Sequence, residues 1–461
     1  MFRNFLFLCF ILPIFCFAKN ESAHADKSKI LIRTIKISGN EITKPQFILR
    51  EMRIAAGDSL SKSDIDAELM FNKKRILNLQ LFSTVNYFVT TNVDQSIDIE
   101  YVVTEIFYWI PNPIFSLADR NFNVWWVEHK HNLDRTNIGL ELTRLNFRGR
   151  NERLIATAQL GYSKYFDFSY KIPYIDKSLK HGIYIGLQYM TGREINYKTE
   201  HNKIVFYRND DYPFDRFQFK CSYSFRNAYV ATHELQLLYH HFRISQSLYD
   251  LNPDFLGQKN KVNYFELAYQ YAYNNTDVRI YPIEGIDMKS FISKKGFGID
   301  KDVNQLILFN ETSIYKRLYR DISSSIVFRG RLMFPSHQPY FLDRAMGFKN
   351  EYIRGYEYYV IDGGHYALLR GNIRYKLLDQ VIHQNALKMI RFIPLRLYFK
   401  LYDDIGYVNN QRPHDDHLNN KILNGYGAGM DIVISYYIKF RVEYSFNHLH
   451  QNGLFLHGSK E

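Results

Sequence analysis

Long apolar runs are nearly absent from this chain of 461 residues. The only one, Phe5–Ala18, has 14 residues, short of the ~20 that a membrane-spanning helix needs. A bundle of membrane helices is therefore excluded. Cysteine is scarce too: there are three, and Cys9 and Cys16 lie inside that run. The run follows a positive start, Met1-Phe2-Arg3, and reaches small residues at Ala18 and again at Ala23-His24-Ala25. Residues 1–25 thus read as a secretory signal peptide, cleaved after 18 or 25. Cys221 is then the sole mature cysteine, and no internal disulfide is expected. Catalytic signatures are missing as well. There is no Gly-x-Ser-x-Gly elbow, phosphate-binding loop, His-Glu-x-x-His or cysteine cluster. The sixteen histidines are scattered. The adjacent pair His240-His241 faces opposite sides of a strand, so its rings cannot easily share an ion. No enzyme activity, catalytic residue, metal or cofactor is expected. The net charge of +12 has no basic cluster to mark a nucleic-acid face, so an acidic membrane surface or a charged lumen explains it better.

Aromatic residues, by contrast, are abundant. They form 16% of the chain, yet the mean hydropathy is −0.33. With 46% hydrophobic residues the chain can bury a core, which excludes disorder. An aromatic-rich chain of average polarity suits a transmembrane β-barrel, which needs apolar residues only at alternate positions and aromatic girdles at both interfaces.

Two regions differ in texture. Residues 27–105 read as a small α+β domain of order β-α-α-β-β. Ile30, Ile32, Ile35 and Ile37 mark the buried positions of a first strand that ends at the Gly39-Asn40 turn. Pro45 suits a first helical turn, with Phe47, Ile48 and Met52 as its apolar stripe. Gly57-Asp58 breaks that helix, and Ser61 or Ser63 caps the next, in which Ile65, Leu69, Ile76 and Leu77 recur near period 3.6. Thr84–Thr90 and Ile97–Thr104 alternate as strands. This order, the Gly-Asn turn and Leu77-Asn78-Leu79-Gln80-Leu81-Phe82 resemble a POTRA (polypeptide-transport-associated) domain. The usual motif has glycine where Gln80 stands.

Residues 106–136 read as a linker and 137–461 as the barrel. Runs of about ten alternating residues are separated there by Gly, Asn, Asp and Pro. Leu395, Leu397, Phe399 and Leu401 share one face; Arg396, Tyr398, Lys400 and Tyr402 share the other. Leu369, Gly371, Ile373, Tyr375 and Leu377 oppose Arg370, Asn372, Arg374 and Lys376 in the same way. Lipid outside and water inside suit such rows. Sixteen strands can be placed, from 138–145 to 452–457; the alternation is weakest at 196–206 and in the last strand, which leaves fourteen or eighteen open. The fold class is therefore mainly β: a sixteen-stranded antiparallel transmembrane barrel preceded by one POTRA domain.

The longest break, about Pro335–Asp362, falls between the eleventh and twelfth strands and contains Ile353-Arg354-Gly355-Tyr356. Tyr402-Asp403-Asp404-Ile405-Gly406 ends the thirteenth. Both resemble signatures of the BamA/TamA-type outer-membrane assembly superfamily, the bacterial surface antigen family. Ile172-Pro173-Tyr174, Asn146-Phe147-Arg148-Gly149-Arg150 and Pro282-Ile283-Glu284-Gly285 are also similar to that family. The resemblance implies that Arg354, Gly355 and Tyr356 form the tip of a sixth loop folded into the lumen. The tip arginine then meets the strand motif of Tyr402, Asp404 and Gly406. Independently, Asp404 lies an even number of positions from Lys400 and Tyr402 and so points inward. In a wet lumen its pair with Arg354 is expected to contribute only about 1 kcal/mol.

The resemblance further implies insertion or translocation of polypeptides through a weak seam between the first and last strands, 138–145 and 452–457. The last strand holds Gly453, Leu454, Phe455 and Leu456, and follows the run Gly425, Gly427, Gly429; glycine and few ladder bonds weaken pairing. The implied partners are unfolded outer-membrane or exported polypeptides, membrane lipid and periplasmic accessory proteins on the POTRA domain, with no nucleic acid. The implied place is the outer membrane of a Gram-negative-type cell, with the POTRA domain in the periplasm. Two alternatives stay open: a secretion translocator dedicated to one partner protein, and a porin-like diffusion channel.

Overall fold

The computed structural model describes residues 29–118, 130–228, 230–298, 303–348, 351–383, 392–411, 416–434 and 438–460. The expected signal peptide lies outside the described residues. The chain divides into an N-terminal unit, through Phe107, and a unit that opens at Tyr108.

The N-terminal unit runs β1 (Lys29–Ser38), α1 (Pro45–Leu49), β2 (Ser59–Ser61), α2 (Ile65–Leu77), β3 (Phe82–Thr91) and β4 (Ile97–Glu105). Its sheet order is β2-β1-β4-β3, with β1 and β4 parallel. The short β2 is an addition to the order read from sequence. The isoleucines of β1 are out of phase with one another, two even-numbered and two odd. A register shift lies between Ile32 and Thr34, and of the four only Ile32 is fully buried, whereas Ile30, Ile35 and Ile37 are half-buried. Phe47, Ile48, Leu69 and Ile76 of the helices are buried, as are Val85, Ile99 and Tyr101 of the sheet. Asp64, not a serine, occupies the α2 N-cap, without a side-chain capping bond. Buried Arg75 donates to Glu51 at 2.9 Å.

The helix-to-strand turn explains the missing glycine of the motif. Gln80 itself takes the left-handed conformation, with φ +59°, and its N–H donates to the Leu77 carbonyl at 3.0 Å. A side chain in this region carries a steric penalty that glycine avoids. Gln80→Gly is expected to stabilise the domain by about 1 kcal/mol, read as roughly fivefold slower hydrogen exchange in the β3–β4 ladder of the full-length protein. Unchanged or faster exchange would show that the glutamine side chain offsets the backbone cost.

The second unit is built on one sheet of sixteen antiparallel strands. In order these are β5 (Trp109–Leu117), β6 (Thr136–Phe147), β7 (Glu152–Gly161), β8 (Ser163–Ile172) and β9 (His181–Gly192). Next come β12 (Phe214–Ala228), β13 (Ala231–Ile244), β14 (Lys261–Asn274), β15 (Gly285–Lys295), β16 (Gln305–Tyr319) and β17 (Ile322–Phe334). The last five are β18 (His365–His383), β19 (Phe392–Asn409), β20 (Ile422–Ile434), β21 (Ile438–Asn447) and β22 (Asn452–Lys460). Between β9 and β12, β10 (Glu194–Glu200) and β11 (Lys203–Arg208) form a separate hairpin.

Two expectations are corrected here, and they cancel in the count. The run 196–206 is not a wall strand but lies in the β10–β11 hairpin. The first wall strand is β5, inside the segment expected to be a linker, and it pairs with β6 from Trp109–Arg144 to Leu117–Thr136. The seam partner of the last strand is therefore β5 rather than 138–145. β22 also runs further than expected, to Lys460.

Alternation sets the two faces. Leu369, Ile373, Tyr375, Phe399, Leu401 and Ile405 are exposed, while Arg374, Tyr398, Lys400, Tyr402 and Asp404 are buried. The outer surface is thus apolar and aromatic and the interior polar, as a barrel in lipid requires. At one rim, Phe242 and Ile244 of β13 pack with Ile195, Phe214, Leu248, Phe255 and Val262 into an apolar cap. The two ends of the sheet are β5 and β22, and no ladder joins them among the described residues.

Candidate functional site

Four neighbouring strands present a grid of inward residues. At one level stand Arg370, Asp404, Gly425 and Asn447, in register across β18, β19, β20 and β21. The next level holds Asn372, Tyr402, Gly427 and Ser445, and the next Arg374, Lys400, Gly429 and Glu443. The column on β20 is all glycine, which leaves a furrow between charged columns. The run Gly425, Gly427, Gly429, expected to weaken the seam, instead makes room inside the wall.

Loop six, residues 335–364 between β17 and β18, fills that room. A Cβ on Gly425 would overlap the Arg354 carbonyl oxygen, and one on Gly427 would stand 2.6 Å from the Tyr402 hydroxyl. Gly406 is buried under Ile353 of the loop in the same way. Gly355 has φ +90°, and a Cβ there would come within 2.8 Å of the Phe446 carbonyl. The tip needs glycine for its conformation and for the close approach of backbone to wall. The Asn447 side-chain amide donates to the Gly355 carbonyl at 2.7 Å.

Arg354 is the centre of the network. Its Nε donates to Asp404 Oδ2 at 2.9 Å, its backbone N–H donates to the same oxygen at 3.1 Å, and Nη2 donates to Oδ1. Nη1 donates to Asn372 Oδ1 at 2.7 Å and meets Glu443 at 3.4 Å. The guanidinium plane lies 3.9 Å from the Tyr402 ring centroid, a cation–π arrangement. Lys400 bridges Glu443 at 2.7 Å and Asp431 at 2.5 Å, and the Tyr402 hydroxyl is 2.6 Å from that of Ser445. Arg370 stands 3.5 Å from Asp404 and donates to the Tyr352 carbonyl.

The burial of this network corrects the expectation of a wet, weak pair. The side chains of Asp404 and Glu443 are 0% exposed and that of Arg354 6%. Removing one partner from such a pair leaves a charge with neither water nor its counter-ion, which costs about 3–5 kcal/mol. The structure brings Arg354, Asp404 and Tyr402 into direct contact. Gly355 and Tyr356 flank them, and Tyr356 is buried with its hydroxyl on His448 and on the Asn424 carbonyl.

The last strand meets the loop through one face only. Phe455 packs against Tyr358 at 5.5 Å between centroids, and His457 stacks on Tyr352 at 5.2 Å. Leu454 and Leu456 point the other way and are exposed. Gly453 pairs with Ser445 and is not part of the ion network. From the rim, the tip of the β10–β11 hairpin holds the loop: Val360 N–H donates to the Asn202 carbonyl at 2.9 Å, and the Asn202 amide donates back at 3.2 Å. Beneath the tip lies a cavity of about 110 Å³ lined by Arg354, Arg370, Arg374, Lys439, Arg441 and Tyr281, among others.

Glu443, Lys400, Asn447 and the glycine furrow were not singled out from sequence as parts of this site. The alternation of Gly425, Gly427 and Gly429, all on one face, was the available signal. No cluster of metal-ligating side chains occurs among the described residues. His240 and His241 take different partners, Glu266 at 2.9 Å and Asn263 at 2.7 Å.

Comparison with known proteins places this architecture. Residues 146–446 match the Omp85 superfamily domain, and residues 30–106 match POTRA, the surface antigen variable number repeat. No curated protein sequence matches the chain. Among solved structures it is similar to BamA from Haemophilus ducreyi lacking POTRA domains 1–3, at 15% identity and TM-score 0.52, over 94% of this chain and 85% of that one. It is also similar to CdiB from Escherichia coli, at 11% identity and TM-score 0.54, over 93% of this chain and 75% of that one. The sixteen-stranded sheet, the single small N-terminal domain and the match over most of the barrel make this chain a member of the Omp85 superfamily of outer-membrane β-barrel proteins.

Proposed function

We propose that the protein inserts or translocates polypeptides at the outer membrane, by opening the seam between β5 and β22 to an extended client. The observation that carries this reading is that the sheet ends on two strands with no ladder between them among the described residues. A fully closed barrel has no edge to offer, whereas an unpaired strand is a template for another chain. Family membership favours the same direction. The clients are unfolded outer-membrane or exported polypeptides, and the outer face meets lipid. The POTRA domain stands in the periplasm, where it receives clients or accessory proteins.

Loop six has a defined part in this scheme. The ion pair of Arg354 and Asp404 pins its tip, and its contacts with Phe455 and His457 brace β22. The lumen therefore stays filled while the seam changes. That filling disfavours a porin-like channel, whose lumen stays open to solutes. Burial of the client's own apolar face in lipid supplies a driving force for its insertion.

Disulfides test the seam. Cysteine pairs stepped along β5 and β22, in a Cys221→Ser background, are expected to stop client assembly when oxidised and restore it when reduced. Normal client handling by the locked, oxidised protein would rule the seam out. Depletion of the protein followed by an outer-membrane proteome distinguishes the client range: loss of many barrels marks general assembly, and loss of one protein marks dedicated export.

A further inference from the structure

The two edges of the seam are chemically unequal. In an antiparallel ladder the N–H and C=O of one residue point to the same side, and successive residues point to opposite sides. Two bonds fix the phase of β5: Leu145 N–H donates to the Tyr108 carbonyl and Ala118 N–H donates to the Arg135 carbonyl, both at 2.8 Å. With the register from Trp109–Arg144 to Leu117–Thr136, the even-numbered residues of β5 direct their polar groups to β6. The odd-numbered ones face the seam: Trp109, Pro111, Pro113, Phe115 and Leu117. Proline has no N–H to give. The middle of this edge therefore lacks two donors in succession.

The edge of β22 has no such gap. Asn447 N–H donates to the Gln451 carbonyl at 3.0 Å, and the register continues through Ser445–Gly453 and Glu443–Phe455. Odd-numbered residues thus bond to β21. Asn452, Leu454, Leu456, Gly458 and Lys460 turn to the seam, each with an N–H and a carbonyl. The same phase follows when counted across the sheet from β18, where Lys376 N–H donates to the Asp321 carbonyl in continuous register with β17.

We propose that client strands add to β22 and not to β5. This rests on the seam reading above and gives it a direction. A strand laid on β5 leaves two of its carbonyls without donors, and in hydrocarbon such groups have no water to turn to. Edge prolines are an established means of blocking strand addition. The same prolines keep β5 from forming a full ladder with β22, so the complete edge of β22 stays available. Leu454 and Leu456 face outward at 62% and 73% exposure, and Phe455 faces inward. The partner is therefore an extended segment that alternates apolar and polar side chains and runs antiparallel to β22. Recognition is by main chain and tolerates many sequences.

The probe is a synthetic peptide that alternates leucine with threonine and carries one cysteine. Full-length protein with Cys221→Ser and either Leu456→Cys or Phe115→Cys, in phospholipid vesicles, is offered the peptide under mild oxidation. Trapping at Leu456→Cys is expected to exceed that at Phe115→Cys by about tenfold or more, the ratio set by one to two ordinary backbone hydrogen bonds. Adding Pro111→Val and Pro113→Val is expected to raise trapping at Phe115→Cys about fivefold or more. Equal trapping at the two positions, or no gain in the valine variant, overturns the edge assignment. No trapping at either position, with both cysteines labelled by a small maleimide, overturns the seam reading beneath it.

Discussion

Arg354→Ala is expected to release the tip of loop six and to lower the stability of the barrel by about 3 kcal/mol. Three donors of this residue reach Asp404, and Asp404 is fully buried. Arg370 at 3.5 Å supplies part of the lost charge, so the cost falls at the lower end of the range for broken buried pairs. About 3 kcal/mol multiplies the undocked fraction by roughly a hundred. Urea unfolding in detergent and protease cleavage within loop six both read this, and client assembly is expected to fall with them. Arg354→Lys keeps the charge but loses the fork on Asp404 and the planar stacking on Tyr402, so it restores less than half of the loss. A loop that stays protease-resistant in Arg354→Ala, at unchanged stability, would show that the ion pair does not hold it.

Gly425→Ala is expected to have an effect of comparable size by a different route. The added methyl removes no charge and raises the intrinsic strand preference of β20. It overlaps the backbone carbonyl of Arg354, however, and neither wall nor loop has a flexible group there to yield. The loop tip must rise, which separates Arg354 from Asp404 and exposes the pair to water. The expected cost is about 2–4 kcal/mol in the same unfolding assay, in the range of overpacked cores and broken pairs. Gly371→Ala is the control. Its Cβ would meet only the Asp403 carbonyl, at an ordinary 3.5 Å, and the expected change is within about 0.5 kcal/mol. Equal behaviour of the two alanine variants would mean that the furrow does not seat the loop.

The sequence made the wall legible wherever alternation was long and chemically sharp. Leu395–Tyr402 showed its two faces directly, because charge and aliphatic side chains recur there at period two. The Arg354 and Asp404 contact was legible through motif and parity together. Its strength was not, because burial depends on the loop, the furrow and Glu443 closing over it. The first strand was hidden by Pro111 and Pro113, residues that argue against a strand interior. They are tolerated because their missing donors fall on the unpaired side of an edge strand. The segment 196–206 alternates because it does form strands, but periodicity does not say which sheet a strand joins. The element order of the small N-terminal domain was legible, although its first helix ends at Leu49, before Met52 and Gly57, and its turn at Gln80 keeps the glycine conformation without the glycine.

The partners of the loop-six tip have one further property: they all follow it in the chain. Asn372, Asp404, Glu443 and Asn447 lie 18, 50, 89 and 92 positions beyond their partners in the tip. The two ends of the sheet, by contrast, are separated by nearly the whole barrel sequence. Closing short loops costs less entropy than closing long ones, so short-range contacts form first. The C-terminal strands are therefore able to wrap their own loop as a covered half-sheet before the N-terminal strands arrive. On that ordering the tip is expected to be enclosed by the growing wall rather than threaded into a finished one, with β5 and β22 brought alongside each other last.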